Sequence, residues 1–189
     1  LSLPKAPPKH YFVFDVETRH SSQEVGGWHK ADLMGVSVAV AFDSLTGTYQ
    51  TFTQEDLPAL FQLFTACDLV IGFNSIRFDY LVLRPYAEIN LWKLPSLDLL
   101  QSIQNRLHYR LSLDTVAQAT LGVGKSADGL QALKWGKENR LKDIEEYCRK
   151  DVEITRNLYL FGLEHGYLLF HNKAGQLVQL AVDFSQPQS

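Results

Sequence analysis

Runs of apolar residues and their spacing divide the chain into a strand-rich first part and a helix-rich remainder. Aromatic and β-branched residues dominate residues 11–18 and predict a buried strand. Apolar runs at 33–42 and 48–53, separated by a turn at 43–47, predict two further strands that form an antiparallel meander with the first. The wholly apolar run at 69–73 is typical of a buried parallel strand.

Apolar residues at helical spacing predict a series of helices after the meander. Strands and helices in this order indicate an α/β fold, with a mixed sheet of antiparallel meander and parallel strands flanked by helices. A polar stretch at 19–30 predicts a loop, and two runs at 167–170 and 177–184 predict a terminal hairpin. The predicted helices cover about 55–68, 81–86, 98–107, 112–121, 130–135 and 141–163.

The composition is typical of a folded globular protein, since 46% of the 189 residues are hydrophobic and 12% are aromatic. We expect a flexible, Pro-rich lead-in at 1–10 and a single domain at 11–189. No apolar stretch reaches the length of a membrane span, so no membrane partner is expected. Cys67 and Cys148 form no disulfide framework, which favours reduced thiols and a cytoplasmic location.

The formal net charge of −3 does not by itself indicate a nucleic-acid-binding protein. The charges are unevenly distributed, however. Residues 1–76 contain 4 basic and 8 acidic side chains, whereas residues 77–150 contain 12 basic and 9 acidic ones. This asymmetry allows a basic groove beside an acidic pocket, but a solvated mixed surface explains it equally well.

Two acids, Asp15 and Glu17, lie inside the first predicted strand. Side chains two residues apart in a strand project from the same face, so both carboxylates point the same way. A hard cation relieves their repulsion and desolvation most directly, because Mg²⁺ and Mn²⁺ prefer carboxylate oxygens. The alternative is an edge strand whose polar face meets water, and the pair alone does not decide between the two.

Further polar residues interrupt apolar patterns later in the chain. Tyr147 and Asp151 are spaced i, i+4 on the long predicted helix and share one face. Taken alone, they are explained by a core tyrosine and by an aspartate paired with a neighbouring base. Asp79 precedes a predicted helix, where an aspartate is ordinarily a cap or a partner of the helix dipole. Asp98 is interpreted as an N-terminal cap of this kind.

Three motifs occur in a fixed order along the chain: Asp-x-Glu at 15–17, Gly-Phe-Asn-x-x-x-Phe-Asp at 72–79 and Tyr-x-x-x-Asp at 147–151. Together they resemble the DEDD superfamily of 3′-5′ exonucleases, in its DEDDy branch, on the ribonuclease H-like fold. The resemblance covers nearly the whole chain. Two additional stretches, 23–28 and 125–130, are similar to a bacterial group of predicted exonucleases in this branch.

The resemblance implies a two-metal-ion hydrolase. The four carboxylates would hold two divalent cations, Mg²⁺ or Mn²⁺, with Asp15 bridging both. Glu17 and Asp151 would complete one site, and Asp79 would serve the other. Tyr147 would orient or deprotonate the attacking water. Four carboxylates balance two divalent ions in charge, so such a site can accept a polyanionic substrate.

The implied reaction is the removal of 5′-mononucleotides from a free 3′ end of DNA or RNA, with a single strand as the expected substrate. Thr18 and Asn74 are implied contacts to the terminal nucleotide. Arg77 and Lys125 are candidate phosphate contacts, although ordinary surface exposure explains either one. Two alternatives stay open: a structure-specific endonuclease on the same fold, and a non-catalytic nucleic-acid-binding module. A helicase or a polymerase is the expected kind of protein partner, although no motif identifies one.

Overall fold

A computed structural model of the chain describes residues 7–124, 129–185 and 187. The predicted lead-in therefore lies largely outside the described residues, and the division into lead-in and domain stays a prediction. None of the described helices has the length and apolar character needed to cross a membrane. The strands are β1 (Tyr11–Thr18), β2 (Val36–Asp43), β3 (Thr48–Phe52), β4 (Leu69–Gly72), β5 (Ser96–Asp98), β6 (Tyr167–His171) and β7 (Leu177–Ala181). The α-helices are α1 (Ser22–Val25), α2 (Leu57–Thr65), α3 (Asp79–Leu83), α4 (Leu99–Leu107), α5 (Leu113–Leu121), α6 (Gly129–Lys137) and α7 (Leu141–His165).

Five strands form one mixed sheet in the order β3-β2-β1-β4-β5. β1 pairs antiparallel with β2, and β2 pairs antiparallel with β3, so the predicted meander is confirmed. β1 pairs parallel with β4, and β4 pairs parallel with β5. Because β1 is central and β4 runs in the same direction, the carboxyl ends of these two strands lie side by side. This is where sites form in open α/β sheets.

Alternation along β1 directs successive side chains into two separate cores. Tyr11 and Val13 belong to a core that β1 shares with α4, α5 and α7, whereas Phe12 and Phe14 belong to a core that contains α2 and α3. The 25-residue helix α7 packs against β1 and β2 on the first of these faces. Asp15 continues the alternation from Val13 and therefore belongs to the face that α7 covers.

Most predicted elements are present, and the differences concern short segments. β1 covers the predicted range, and β4 ends one residue earlier than predicted, at Gly72. The prediction of a loop over 19–30 is wrong in part, because α1 and a 3₁₀ turn at Trp28–Leu33 form there. Both are too short for an apolar period to be visible. β5 is not predicted, since its three residues overlap the helix cap at Asp98.

The terminal hairpin forms a second, two-stranded sheet of β6 and β7, and β6 packs on α5 and α7. β7 ends earlier than predicted, and the residues after it lie against α7. A Cβ placed on Gly162 in α7 would overlap the ring of Phe184 and would lie 3.2 Å from Val182. Glycine is therefore required at this position by close packing, since Phe184 is almost fully buried.

Gly162→Ala is expected to destabilise the protein, although alanine is the better helix former. The added methyl group overlaps the Phe184 ring, and overpacking of this kind costs about 1–3 kcal/mol, whereas helix propensity returns only about 1 kcal/mol. Urea denaturation followed by circular dichroism measures the free energy of unfolding. Gly136→Ala in α6 is the matched control, because among the described residues its Cβ would meet only Ile144, at 3.8 Å. Equal losses in both variants would contradict the packing explanation.

Candidate active site

The carboxylates of Asp15 and Glu17 lie at the carboxyl end of β1, as the alternation predicts. Both side chains are half-buried, in contrast to the fully buried apolar residues before them. The register between β1 and β2 shifts between Glu17 and Thr18, so regular pairing ends where the acids lie. An edge strand with a solvated polar face is excluded as the explanation, because β1 is the central strand of the sheet.

Helix α7 places Cys148 and Asp151 against this end of β1. The Cys148 thiol donates to the backbone oxygen of Asp15 at 3.4 Å and to its Oδ2 at 3.5 Å. Ligand atoms of Asp15, Glu17 and Cys148 all lie within 4.8 Å of one another. Burial raises the pKa of Cys148 well above its usual range, and the charges of Asp15, Glu17 and Asp151 raise it further. The thiol is therefore a protonated donor to the acidic cluster.

Asp79 joins the cluster from the first residue of α3. Its side chain is buried, and its Oδ1 accepts a hydrogen bond from the backbone N–H of Val16 at 3.1 Å, midway between the two acids of β1. Burial raises the pKa of Asp79 well above its usual range, and the charges of Asp15 and Asp98 add to that effect. An apo site therefore disfavours the ionised form of this carboxyl, which is the condition that a bound cation reverses.

Asp98 fixes the loop that carries Asn74. Its Oδ1 accepts from the backbone N–H of Leu100 and Gln101 at 3.0 and 3.2 Å, which confirms the predicted helix cap. The same carboxylate also accepts from Asn74 at 2.8 Å and from Ile76 at 3.1 Å, which the sequence did not predict. The loop must pass close to β4, because a Cβ on Gly72 would lie 2.5 Å from Ser75.

Two clefts open beside the carboxylates, and Asn74 contributes to both. The smaller, about 410 Å³, is lined by Asp15, Asp151, Asn74 and Arg110 together with apolar residues. The larger, about 960 Å³, contains Glu17, Thr18 and Asn74 at one end and is bounded by α1 and α6. The backbone of Asn74 has a φ of 70°, which is uncommon for residues other than glycine. One residue with a left-handed backbone thus lines both clefts.

The structure brings some of the predicted nucleic-acid contacts together with the carboxylates and not others. Thr18 and Asn74 line the larger cleft. Arg77 is exposed, and it is not among the described residues that line either cleft. Lys125 lies outside the described residues. Arg110 is a basic residue that sequence reasoning missed: its Nη2 donates to Oδ1 of Asn74 at 2.8 Å. Its only signal in the sequence is a position just before a helix cap at Ser112.

Tyr147 is buried one turn before Asp151 on α7. The ring of Trp135 from α6 meets it edge-on, with centroids 6.3 Å apart. Tyr147 lines a third cleft with Trp135, Glu146 and Lys150, whereas Asp151 lines the smaller of the two clefts described above. Tyr147 and Asp151 are therefore one turn apart on α7 but line different clefts, and the ring of Trp135 packs against the tyrosine.

Asp79→Asn is expected to stabilise the apo protein at neutral pH. The folded-state pKa of Asp79 is raised above its unfolded value, so its ionisation penalises the fold increasingly as pH rises from about 4 towards the raised value. Asparagine keeps an acceptor for Val16 and removes the charge. Thermal unfolding in EDTA should show a higher Tm at pH 8, by roughly 2–4 °C for each kcal/mol relieved, and a smaller gain at pH 5. A lower Tm at pH 8 would contradict this account.

The comparisons with known proteins agree with this arrangement. The family model described as 3′-5′ exonuclease matches residues 3–161. No curated protein matches the chain significantly. Among solved structures, the chain is similar to the family B DNA polymerase from the hyperthermophilic archaeon Pyrobaculum calidifontis, with a TM-score of 0.61, 16% identity, and coverage of 84% of this chain and 26% of the polymerase chain. The chain thus spans about a quarter of that polymerase, and the likeness confirms the predicted α/β fold. The chain belongs to the 3′-5′ exonuclease family.

Proposed function

We propose that the protein hydrolyses the terminal phosphodiester bond at a free 3′ end of a single nucleic acid strand and releases 5′-mononucleotides. The observation that supports this proposal best is that acids from β1 and α7 line two clefts that share Asn74, while the buried Asp79 of α3 is hydrogen-bonded to β1 beside them. One cleft offers space for the terminal nucleotide and the other for the strand that precedes it. A bond placed between them lies at the carboxylates.

We propose that Asp15, Glu17, Asp79 and Asp151 hold two divalent cations, either Mg²⁺ or Mn²⁺. The donor set fits hard cations, because it offers carboxylate oxygens around a protonated thiol that is a poor ligand. When bound, the ions supply Lewis acidity to the phosphate and lower the pKa of the attacking water. The raised pKa of Asp79 supports this assignment, because a cation offsets the repulsion that raises it.

The remaining residues would position the substrate and move a proton. We propose that Tyr147 orients the attacking water or accepts its proton, since Trp135 limits the movement of its ring. Asn74 and Thr18 would contact the terminal nucleotide. Arg110, which donates to Asn74 at the smaller cleft, would contact a phosphate of the substrate. A helicase or polymerase partner and a cytoplasmic location stay predictions of the sequence.

The proposed reaction is tested by a gel time course with DNA and RNA oligonucleotides, each labelled at the 5′ or the 3′ end. A ladder that shortens from the 3′ end in Mn²⁺ or Mg²⁺, and not in EDTA, is the expected result. The polymer that is degraded faster identifies the substrate class. Discrete internal cuts would favour the endonuclease alternative. Binding without hydrolysis would favour a non-catalytic module.

Asp15→Asn is expected to abolish hydrolysis and to retain binding of the oligonucleotide, because the substitution removes a charge that metal binding needs. Wild-type protein should gain thermal stability when Mn²⁺ is added, through preferential binding to the folded state, and the variant should lose most of that gain. Glu164→Gln is the control, since Glu164 is an exposed acid on α7. Undiminished hydrolysis by Asp15→Asn would contradict the proposed metal site.

Tyr147→Phe is expected to lower kcat by roughly 100-fold or more, the low end for loss of a positioned proton acceptor. KM and the stabilisation by Mn²⁺ should change little, because the ring and its contact with Trp135 are kept. Tyr159→Phe is the matched control, since Tyr159 is a buried tyrosine of the same helix that packs in the core. An equal kcat for wild type and Tyr147→Phe would contradict the proposed role of Tyr147. It would not contradict the proposed metal ligands.

A further inference from the structure

An ion pair joins the two walls of the larger cleft. Glu24 lies in α1, and Lys137 lies in the last turn of α6, with Lys137 Nζ 3.0 Å from Glu24 Oε1. Both residues line the cleft that contains Glu17 and Thr18. A phosphate of the substrate that lies in this cleft is therefore close to the pair. Lys134, one turn earlier on α6, lines the same cleft, so that wall of the cleft is basic.

The carboxylate of Glu24 is held in place independently of Lys137. Its Oε2 accepts from the backbone N–H of Ser21 at 2.7 Å and from the Ser21 hydroxyl at 2.9 Å, and together with the bond from Glu24 N–H to Ser21 these contacts form a capping box. The other oxygen, Oε1, faces Lys137. These bonds, together with Lys137, lower the pKa of Glu24 to about 2, so its charge is constant at neutral pH. The fixed carboxylate of Glu24 is thus the ion-pair partner of Lys137.

The lysine itself is well placed to change partners. Lys137 is 65% exposed, and exposed ion pairs contribute little to stability. A lysine binds phosphate as a point charge on a flexible stem, and a phosphate oxygen can take the position of a carboxylate oxygen. Trp28 and Leu130, which are 68% and 74% exposed, line the same cleft and offer apolar surface for a base.

We propose that Lys137 binds a phosphate of the nucleic acid strand and that Glu24 competes with the strand for it, so that the ion pair is an autoinhibitory contact that the substrate displaces. The proposal rests on the function proposed above. It differs from a purely structural tie in one respect. If the ion pair only stabilised the structure, removing either partner would have the same effect on affinity for the strand. If Glu24 competes with the strand for Lys137, removing Glu24 raises that affinity and removing Lys137 lowers it.

The test compares Glu24→Gln, Lys137→Ala and the double variant. The dissociation constant of a 5′-labelled single-stranded oligonucleotide is measured by fluorescence anisotropy in EDTA, and KM and kcat are measured in Mn²⁺. Glu24→Gln is expected to tighten binding and lower KM by roughly two- to five-fold, the range for an exposed ion pair. Lys137→Ala should weaken binding by a similar factor, and the double variant should behave like Lys137→Ala. In each case kcat should stay unchanged.

The salt dependence provides a second readout that a structural role would not change. Lys137→Ala should reduce the slope of log K against log salt concentration by about 0.7, the value for one phosphate contact on a single strand. Glutamine keeps the capping box with Ser21, so Glu24→Gln should retain the wild-type Tm. Asp32→Asn and Arg84→Ala are the controls. Asp32 and Arg84 also form an ion pair between two segments, at 2.6 Å, and neither is among the described residues that line the two clefts.

The outcomes separate the two proposals. Weaker binding in both Glu24→Gln and Lys137→Ala, or no change in either, overturns the competition. Wild-type protein that binds the oligonucleotide with the expected pattern but does not hydrolyse it overturns the proposed function and leaves Lys137 as a strand contact. Wild-type protein that hydrolyses the strand while Glu24→Gln leaves KM unchanged overturns the competition alone.

Discussion

Repulsion among carboxylates at the end of β1 is the constraint on which the site depends. Strand alternation places Asp15 and Glu17 on one face, and helices on both sides of the sheet add Asp79 and Asp151. Burial raises the pKa of Asp79, and repulsion from neighbouring carboxylates raises it further. The fold tolerates the cluster because two separate apolar cores, one on each face of the sheet, are formed almost entirely by residues that have no part in it. The uncharged thiol of Cys148 gives Asp15 a donor without adding a further charge.

A further acid, Asp98, fixes the backbone around the four carboxylates. Its oxygens already accept hydrogen bonds from backbone N–H groups. Asp98 accepts four backbone hydrogen bonds from two segments, and these bonds offset part of the effect of burial, which raises the pKa of this carboxyl. Those bonds hold Asn74 in its left-handed conformation, which costs energy for a residue with a side chain. Asn74 in turn holds Arg110. One buried carboxylate therefore positions an amide and a cation at the point where the two clefts meet.

The regular periods of the sequence predicted the parts of the fold that depend on them. β1, the meander and α7 have enough residues for alternation or helical spacing to be visible, and they bring Asp15, Glu17 and Asp151 to one place. Elements of three or four residues, such as β5 and α1, carry no period, so they were missed. Arg110 was missed for another reason. Its partner Asn74 is 36 positions away, and only the tertiary fold brings the two together.

Under the proposed function, the basic residues in the clefts would allow an acidic protein to receive a polyanion without binding it too tightly. Arg110 donates a hydrogen bond to Asn74, and Lys137 forms an ion pair with Glu24, so each basic side chain already has an acceptor before a strand binds. A phosphate must replace that acceptor, and the net gain from each contact is the difference between two similar interactions. The proposed divalent cations would neutralise the carboxylates at the end of β1 and add to this affinity. Under the proposed function, binding of metal and binding of the strand would therefore be thermodynamically linked, because each would favour the other through its charge.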